Sequence, residues 1–141
     1  EYRGRKIDLD VEILLGFSKG LLVELIQPKN NDVNIYNEHL QKCGAGLHHV
    51  GIDVTCLDKN LEELSSIGIA PIQSGKMVTS GGSVTRYAYL DTIGYCGYTI
   101  ELIETRMKMI PLKNSRLMME AACLIGDATK VKVDSKKEHD Q

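Results

Sequence analysis

The sequence of 141 residues contains no tryptophan and one phenylalanine, so we expect an aliphatic core with the six tyrosines in half-buried positions. It has no run of about 18 apolar residues, the length that a membrane-spanning helix needs. It also lacks an excess of basic residues, because the formal net charge is -2 at pH 7. A nucleic-acid partner and a membrane partner are therefore both disfavoured.

The four cysteines are scattered and form neither a Cys-x-x-Cys pair nor a regular ladder. This pattern disfavours a zinc ribbon and a disulfide framework, and it favours reduced thiols. The first residues lack the apolar segment of a signal peptide. We therefore expect one cytoplasmic domain, since 141 residues suffice for one core and not for two.

The first third of the sequence predicts a β-hairpin. Residues 6–15 alternate between apolar and polar side chains, which is typical of a strand with one buried face. Residues 16–20 contain two glycines and predict the turn, and residues 21–26 predict a second, more buried strand that ends at Pro28. The acidic side chains of the first strand share its polar face: Asp8, Asp10 and Glu12.

The rest of the chain predicts helices within a series of strands. A short helix near residues 35–43 stops at Gly44. From Leu47 onward the predicted order is strand, helix, strand, strand, strand. The apolar stripe of that helix consists of Leu57, Leu61, Leu64 and Ile67. The three final strands cover residues 69–74, 83–90 and 97–103.

The order of elements indicates an internal duplication. The N-terminal hairpin resembles the last two strands of the second unit, and each copy ends in a strand with one glutamate among apolar residues. Glu24 lies in the sequence VELI, and Glu101 lies in IELI. We therefore expect two related modules, of which the first is incomplete at its start.

One imidazole and two carboxylates stand singly within otherwise apolar strands. In the run GLHHVGIDV, strand alternation places His48 on the face of Val50 and leaves His49 on the opposite face. His49 is therefore available for chemistry, whereas His48 is interpreted as packing on the helix side. Together with Glu24 and Glu101, His49 has the donor types of a divalent-metal site.

Three segments resemble the vicinal oxygen chelate superfamily, which includes glyoxalases, epimerases, dioxygenases and bleomycin-resistance proteins. They are VELIQP at residues 23–28, GAGLHHV at 44–50 and GYTIEL at 97–102. The similarity is greatest to the branch that contains methylmalonyl-CoA epimerase and glyoxalase. It implies an α+β fold in which paired βαβββ modules form a curved half-barrel sheet. The first module lacks its opening strand and helix here.

The resemblance and the composition divide the chain into a glyoxalase-like domain, a C-terminal helical extension and a disordered tail. The helix is expected because apolar residues recur at helical spacing between Leu117 and Ile125. The charged composition of the tail predicts disorder. The expected boundaries are 1–105 for the domain, with an incomplete first module at 1–43 and a complete second module at 44–105, then 106–134 for the extension and 135–141 for the tail.

By position, the resemblance implies that Glu24, His49 and Glu101 bind a divalent ion such as Zn, Co, Ni, Mn or Fe. The fourth ligand of the family lies on the opening strand of the first module. We expect this strand upstream in a longer chain, and two alternatives stay open: another subunit supplies the strand, or the metal site is degenerate. The implied reaction is that of a metal-dependent epimerase, isomerase or glyoxalase-like lyase, through an enolate of a small carbonyl compound or acyl thioester. Glu101 and Glu12 are the candidate catalytic bases. A CoA thioester substrate and a homodimer are implied as well.

Two other functions stay open at the level of sequence. A non-catalytic binding protein of the bleomycin-resistance type would sequester a small molecule without metal, although such proteins usually lack an inward acid and histidine set. An iron-dependent extradiol-type dioxygenase uses two histidines and one carboxylate, whereas one suitable histidine is visible here. The set of Glu24, His49 and Glu101 therefore favours the isomerase.

Overall fold

The computed structural model describes residues 1–108, 110–124, 126, 128 and 129. Its elements, in chain order, are β1 (Val11–Ser18), β2 (Leu21–Pro28), α1 (Ile35–Cys43), β3 (His49–Asp53), α2 (Leu57–Ser66), β4 (Pro71–Val78), β5 (Ser83–Leu90), α3 (Ile93–Cys96), β6 (Thr99–Met107), β7 (Ile110–Leu112) and α4 (Arg116–Leu124). The α+β class and the C-terminal helix expected from the sequence are confirmed.

The second half of the chain forms a five-stranded sheet with the order β3-β6-β5-β4, and β7 pairs with β6. β3 runs parallel to β6, whereas the other pairs are antiparallel. Helix α2 makes the crossover from β3 to β4 and packs on one face of the sheet. Its residue Leu57 is 3% exposed and shares a buried cluster with Ala88, Leu90 and Leu102. The predicted order of strand, helix and three strands is confirmed.

β1 and β2 form the predicted hairpin, but its turn is shorter than expected. The turn consists of Lys19 and Gly20, whose φ angles are 47° and 86°. Two successive residues with positive φ are typical of the tight turns that match the twist of a hairpin. The five-residue turn predicted at 16–20 is therefore wrong, because residues 16–18 pair with β2. The first strand begins at Val11 rather than at residue 6.

The hairpin is a two-stranded sheet of its own within the part of the chain that the structure describes. One face, which includes Ile26, packs against a buried cluster. That cluster consists of Tyr2, Ile35, Tyr36 and Tyr89. The opposite face is open, with Leu21 at 65% and Leu25 at 64% exposure. β2 is therefore less buried than its apolar sequence predicts, since alternate residues point to an uncovered face.

Helix α1 lies between the hairpin and the larger sheet. The buried side chain of Asn34 accepts hydrogen bonds from the backbone N–H groups of Tyr36 and Asn37, at 3.0 Å each, and so caps the first turn. The helix ends at Gly44, whose φ of 74° favours glycine. The ring of Tyr36 then packs edge-on against Tyr89 of β5. The helix thereby holds the hairpin side of the molecule to the sheet.

The remaining departures from prediction are local. β4 covers Pro71–Val78 rather than residues 69–74. β6 begins at Thr99 rather than at residue 97, because residues 93–96 form the short helix α3 before it. In β3, an edge strand, His49 is half-buried, whereas Val50 and Ile52 are 41% and 45% exposed, so the strand lacks the buried apolar face that the alternation predicts. The tail predicted at 135–141 lies outside the described residues. Among the described helices, none has the length and apolar character needed to cross a membrane.

Candidate metal centre

Three side chains from three strands meet at the junction of the two sheets. Glu24 comes from β2, His49 from the start of β3 and Glu101 from β6. The Nε2 atom of His49 lies 3.3 Å from Oε2 of Glu101 and 3.6 Å from Oε2 of Glu24. One donor atom of each residue lies within 4.8 Å of the other two. The structure thus brings together the three residues that the sequence singles out as metal ligands.

The register of the parallel pair β3 and β6 explains how Glu101 reaches His49. Gly51 lies opposite Glu101, and a Cβ atom at Gly51 would lie 3.7 Å from Oε2 of Glu101 and 3.1 Å from Cδ1 of Ile103. A methyl group at Gly51 would be in ordinary contact with the carboxylate but would crowd Ile103, so the missing side chain makes room for Ile103. His49 is two residues before Gly51 and projects from the same face of the sheet.

The three side chains are largely removed from water. Those of Glu101, His49 and Glu24 are 7%, 10% and 25% exposed. Burial alone would lower the pKa of His49, but the nearby carboxylates of Glu101 and Glu24 outweigh burial and raise this pKa to about 9. In the metal-free protein His49 is therefore protonated at pH 7 and offsets the charge of one carboxylate.

His48 contacts His49, contrary to the expectation from strand alternation. β3 begins at His49, so the alternation does not extend to the residue before it. The His48 ring packs against Tyr36 and His39 of α1, with centroid distances of 5.2 Å and 5.0 Å. Burial, together with His49 and His39, lowers the pKa of His48 to about 4. His48 is thus a neutral ring that packs on a helix, but the helix is α1 and the ring contacts the site.

Two buried tyrosines form a further part of the site that the sequence reasoning missed. The hydroxyl groups of Tyr36 and Tyr89 lie 2.7 Å apart. Tyr89 lies opposite Glu101 in the β5–β6 register, and its ring centroid is 5.1 Å from that of His49. Burial and the Glu101 charge raise the pKa of both hydroxyl groups. The alternating pair Tyr87 and Tyr89 was the available signal, but it identifies a neighbour of Glu101 only once the register is known.

The structure does not bring Glu12 to this site. Glu12 lies opposite Gln27 in the hairpin, whereas Glu24 lies opposite Leu15. Because residues 12 and 15 of one strand point to opposite faces, Glu12 and Glu24 face away from each other. The Glu12 side chain is 55% exposed and forms an ion pair with Lys29. Its position gives no support to the prediction that Glu12 is a second base.

The three residues open into a cavity of about 690 Å³. β2 forms one wall, and α1 with the segment before β3 forms the other. Its apolar lining includes Leu22, Ile26, Leu47 and Ile103. A second cavity of about 520 Å³ lies against α2 and β4 and contains none of the three residues. An apolar cleft with a few convergent polar groups is the usual form of a small-molecule site, and the larger cavity fits that description.

Comparisons with known proteins agree with this picture. A family model described as the Glyoxalase/Bleomycin resistance protein/Dioxygenase superfamily matches residues 1–89. No curated protein matches the sequence significantly. A hypothetical protein from Bacillus halodurans C-125 is similar in structure, with 24% identity and a TM-score of 0.52 over 66% of this chain and 65% of that chain. Methylmalonyl-CoA epimerase from Mycobacterium tuberculosis is similar too, with 19% identity and a TM-score of 0.51 over 69% of this chain and 68% of that chain.

At these identities the two structures establish a shared fold. The chain spans just under two thirds of the length of the Bacillus halodurans protein. The family model, in contrast, matches well over half of this chain and includes both Glu24 and His49. The chain therefore belongs to the Glyoxalase/Bleomycin resistance protein/Dioxygenase superfamily.

Proposed function

We propose that this protein is a metal-dependent isomerase or epimerase that acts on a small carbonyl compound or an acyl thioester. The observation that carries the proposal is the convergence of Glu24, His49 and Glu101 at an apolar cavity. Membership of the superfamily supports it. The structural similarity to a methylmalonyl-CoA epimerase makes a CoA thioester the first substrate class to test.

The donor set fits a divalent transition-metal ion. Once His49 gives up its proton, the three residues offer two negative carboxylates and one neutral nitrogen, a mixture that Zn, Co, Ni, Mn and Fe all accept. Three protein donors leave further coordination positions for water or substrate. When bound, such an ion would supply Lewis-acid stabilisation of the negative charge that develops on a substrate carbonyl oxygen.

The protein's own residues supply the proton transfers. Glu101 is the candidate base for removal of an α-proton, because its nearly buried carboxylate is poorly hydrated beside the cavity. Inversion of a stereocentre also requires return of a proton on the opposite face, from a second group in its protonated form. The apolar walls keep water away from the carbanion.

The ligand set argues against an extradiol-type dioxygenase. Nδ1 of His48 lies 3.0 Å from Nδ1 of His49 and is turned to that ring rather than to the carboxylates. Among the residues that the structure describes, the site therefore offers one histidine and two acids, the reverse of the two histidines and one acid of that iron chemistry. A glyoxalase-like lyase would use the same three residues, and analysis of products separates it from an isomerase.

Metal binding is the first test. The purified protein is loaded with Co, Zn, Ni or Mn, dialysed, and analysed for metal per chain. We expect close to one ion per chain for the wild type, and loss of that ion in His49→Ala and Glu24→Gln. Glu12→Gln is the matched control, since this acid faces away from the site, and it should retain the ion. Binding of less than about a tenth of an ion per chain with every metal tested would contradict the proposal.

Proton exchange is the second test. The metal-loaded protein is incubated in D2O with methylmalonyl-CoA and with a panel of other acyl-CoA esters, and deuterium at the α-carbon is measured by mass spectrometry. We expect incorporation by the wild type and loss of incorporation in Glu101→Gln. Tight binding of a ligand without exchange or turnover would instead favour a non-catalytic binding protein.

The proposal includes a cytoplasmic homodimer. The open face of the hairpin exposes Leu14, Val23 and Leu25 at 45%, 42% and 64%, a surface that a second copy would cover. All four cysteines are free, as in a reducing compartment. Light scattering tests the assembly, and a monomer at micromolar concentration would contradict the dimer.

A further inference from the structure

Two imidazole rings share a hydrogen bond at the edge of the candidate metal centre. Nδ1 of His48 and Nδ1 of His49 lie 3.0 Å apart. At this distance one of the two nitrogens carries the hydrogen and the other offers its lone pair. The direction of this bond decides which nitrogen of His49 carries a proton, and therefore which nitrogen is free to bind an ion.

The other nitrogen of His49 fixes the direction. Nε2 faces the carboxylates of Glu24 and Glu101 and is the atom available to an ion between them. A neutral imidazole carries one N–H, so an ion at Nε2 requires the hydrogen at Nδ1. The reverse hydrogen bond, from His48 to His49, would place the hydrogen of His49 on Nε2 and block the ligand atom. His48 must therefore accept this hydrogen bond, and His49 must donate it.

His48 is held in place for this role. Its ring packs against Tyr36 at 5.2 Å and edge-on against His39 at 5.0 Å. The ring also contacts Tyr89 of β5, with centroids 5.8 Å apart. A neutral His48 with its hydrogen on Nε2 can accept the hydrogen bond from His49 at Nδ1.

We propose that His48 is a positioning residue of the metal centre, which accepts a hydrogen bond from Nδ1–H of His49 and keeps Nε2 of His49 free for the ion. The inference rests on the proposed metal-binding function. Ligating histidines commonly donate their second N–H to a carboxylate or a carbonyl oxygen, and the partner here is a second imidazole. The positioning chain runs from the start of α1 through His48 to His49.

The hydrogen bond itself is tested without metal. The metal-free protein is labelled with ¹⁵N in its histidines, and NMR measures coupling across the bond between the two Nδ1 atoms. We expect a coupling between His48 and His49, with the hydrogen assigned to His49. Absence of the coupling, or a hydrogen on Nδ1 of His48, would overturn the proposal, whatever the protein does with metals.

Its consequence is tested with cobalt titrations of three variants. His48→Phe keeps a ring but removes the acceptor, and it should weaken cobalt binding by about 10- to 100-fold. His48→Asn restores an acceptor oxygen near the position of Nδ1 and should bind within about threefold of the wild type. His39→Phe alters the ring that packs on His48 but leaves the hydrogen bond to His49 in place, and it should also bind within about threefold of the wild type.

The outcomes separate the two proposals. Cobalt binding by the wild type but not by His49→Ala would support the metal centre. In that case, equal cobalt affinity of His48→Phe and the wild type would overturn the role of His48. Equal weakening in His48→Phe and His39→Phe would also overturn it, since packing would then be the cause. If the wild type binds no metal, the proposed function fails, and the NMR result alone decides whether the hydrogen bond exists.

Discussion

Raising the pH from 6.5 to 9 should destabilise the metal-free protein, and His49 is the reason. Its pKa is about 9 in the folded protein and 6.5 in an unfolded chain. The folded state therefore binds a proton between these values that the unfolded state has lost, and stability falls as the pH rises. The contribution is fully present below pH 6.5 and is lost by about pH 9.

The size of the effect follows from the shift. A pKa difference of about 2.5, at about 1.4 kcal/mol for each pH unit, corresponds to about 3–4 kcal/mol. The side chain is 10% exposed, so solvent screens the interaction little. His48 has the opposite effect on stability. Its pKa is lowered to about 4 in the folded protein, so the unfolded state binds the extra proton between pH 4 and 6.5, and stability rises with pH in that range. The metal-free protein should therefore be most stable near pH 6.5.

Urea unfolding in a chelating buffer, followed by circular dichroism at several pH values, measures this change. His49→Gln should show almost no loss between pH 6.5 and 9, and Glu12→Gln should follow the wild type, because its ion pair with Lys29 lies on the exposed face of the hairpin. Parallel stability curves for the wild type and His49→Gln would refute the argument that Glu24 and Glu101 hold a proton on His49.

Three further outcomes are expected. Leu57→Ala should lower the free energy of unfolding by about 2–5 kcal/mol in urea titrations, because Leu57 is 3% exposed beneath α2. Thr92→Val should cost about 2 kcal/mol in the same assay, since the buried hydroxyl donates to the carbonyl of Tyr98 and accepts from the N–H of Ile100, both at 2.9 Å. Glu24→Gln should bind cobalt at least about tenfold more weakly in spectroscopic titrations, because an amide carries no charge.

The ligand candidates were predictable from sequence because each is a polar residue inside an apolar strand. Alternation put His49 away from the apolar layer, and the duplicated motif put Glu24 and Glu101 in equivalent places. The same reasoning placed Glu12 near the site through a family pattern. The sequence could not show whether Glu12 and Glu24 lie on the same face of the hairpin, because that depends on the register between β1 and β2.

The positions of His48 and Tyr89 at the site could not be predicted from the sequence, for a related reason. Alternation assigns a face only within a strand, and His48 lies one residue before β3 begins. Tyr89 becomes a neighbour of Glu101 through the pairing of β5 with β6, which the sequence of either strand does not contain. The exposure of the apolar face of β2 likewise depends on what covers the hairpin. The sequence of residues 21–26 does not show whether a partner covers it.

The charges of the candidate metal centre explain why two acids are buried beside a single histidine. With His49 protonated, the three residues carry a net charge of minus one, and with a divalent ion and neutral His49 the buried charge is fully compensated. The carboxylates that raise the pKa of His49 are the groups that attract a dication, so proton and ion compete for Nε2. An ion that binds at pH 7 must displace about one proton from His49, so its apparent affinity rises up to about tenfold per pH unit until the pH reaches about 9. The buried carboxylates thus favour whichever positive charge is available, and only the dication leaves no uncompensated charge at the junction of the two sheets.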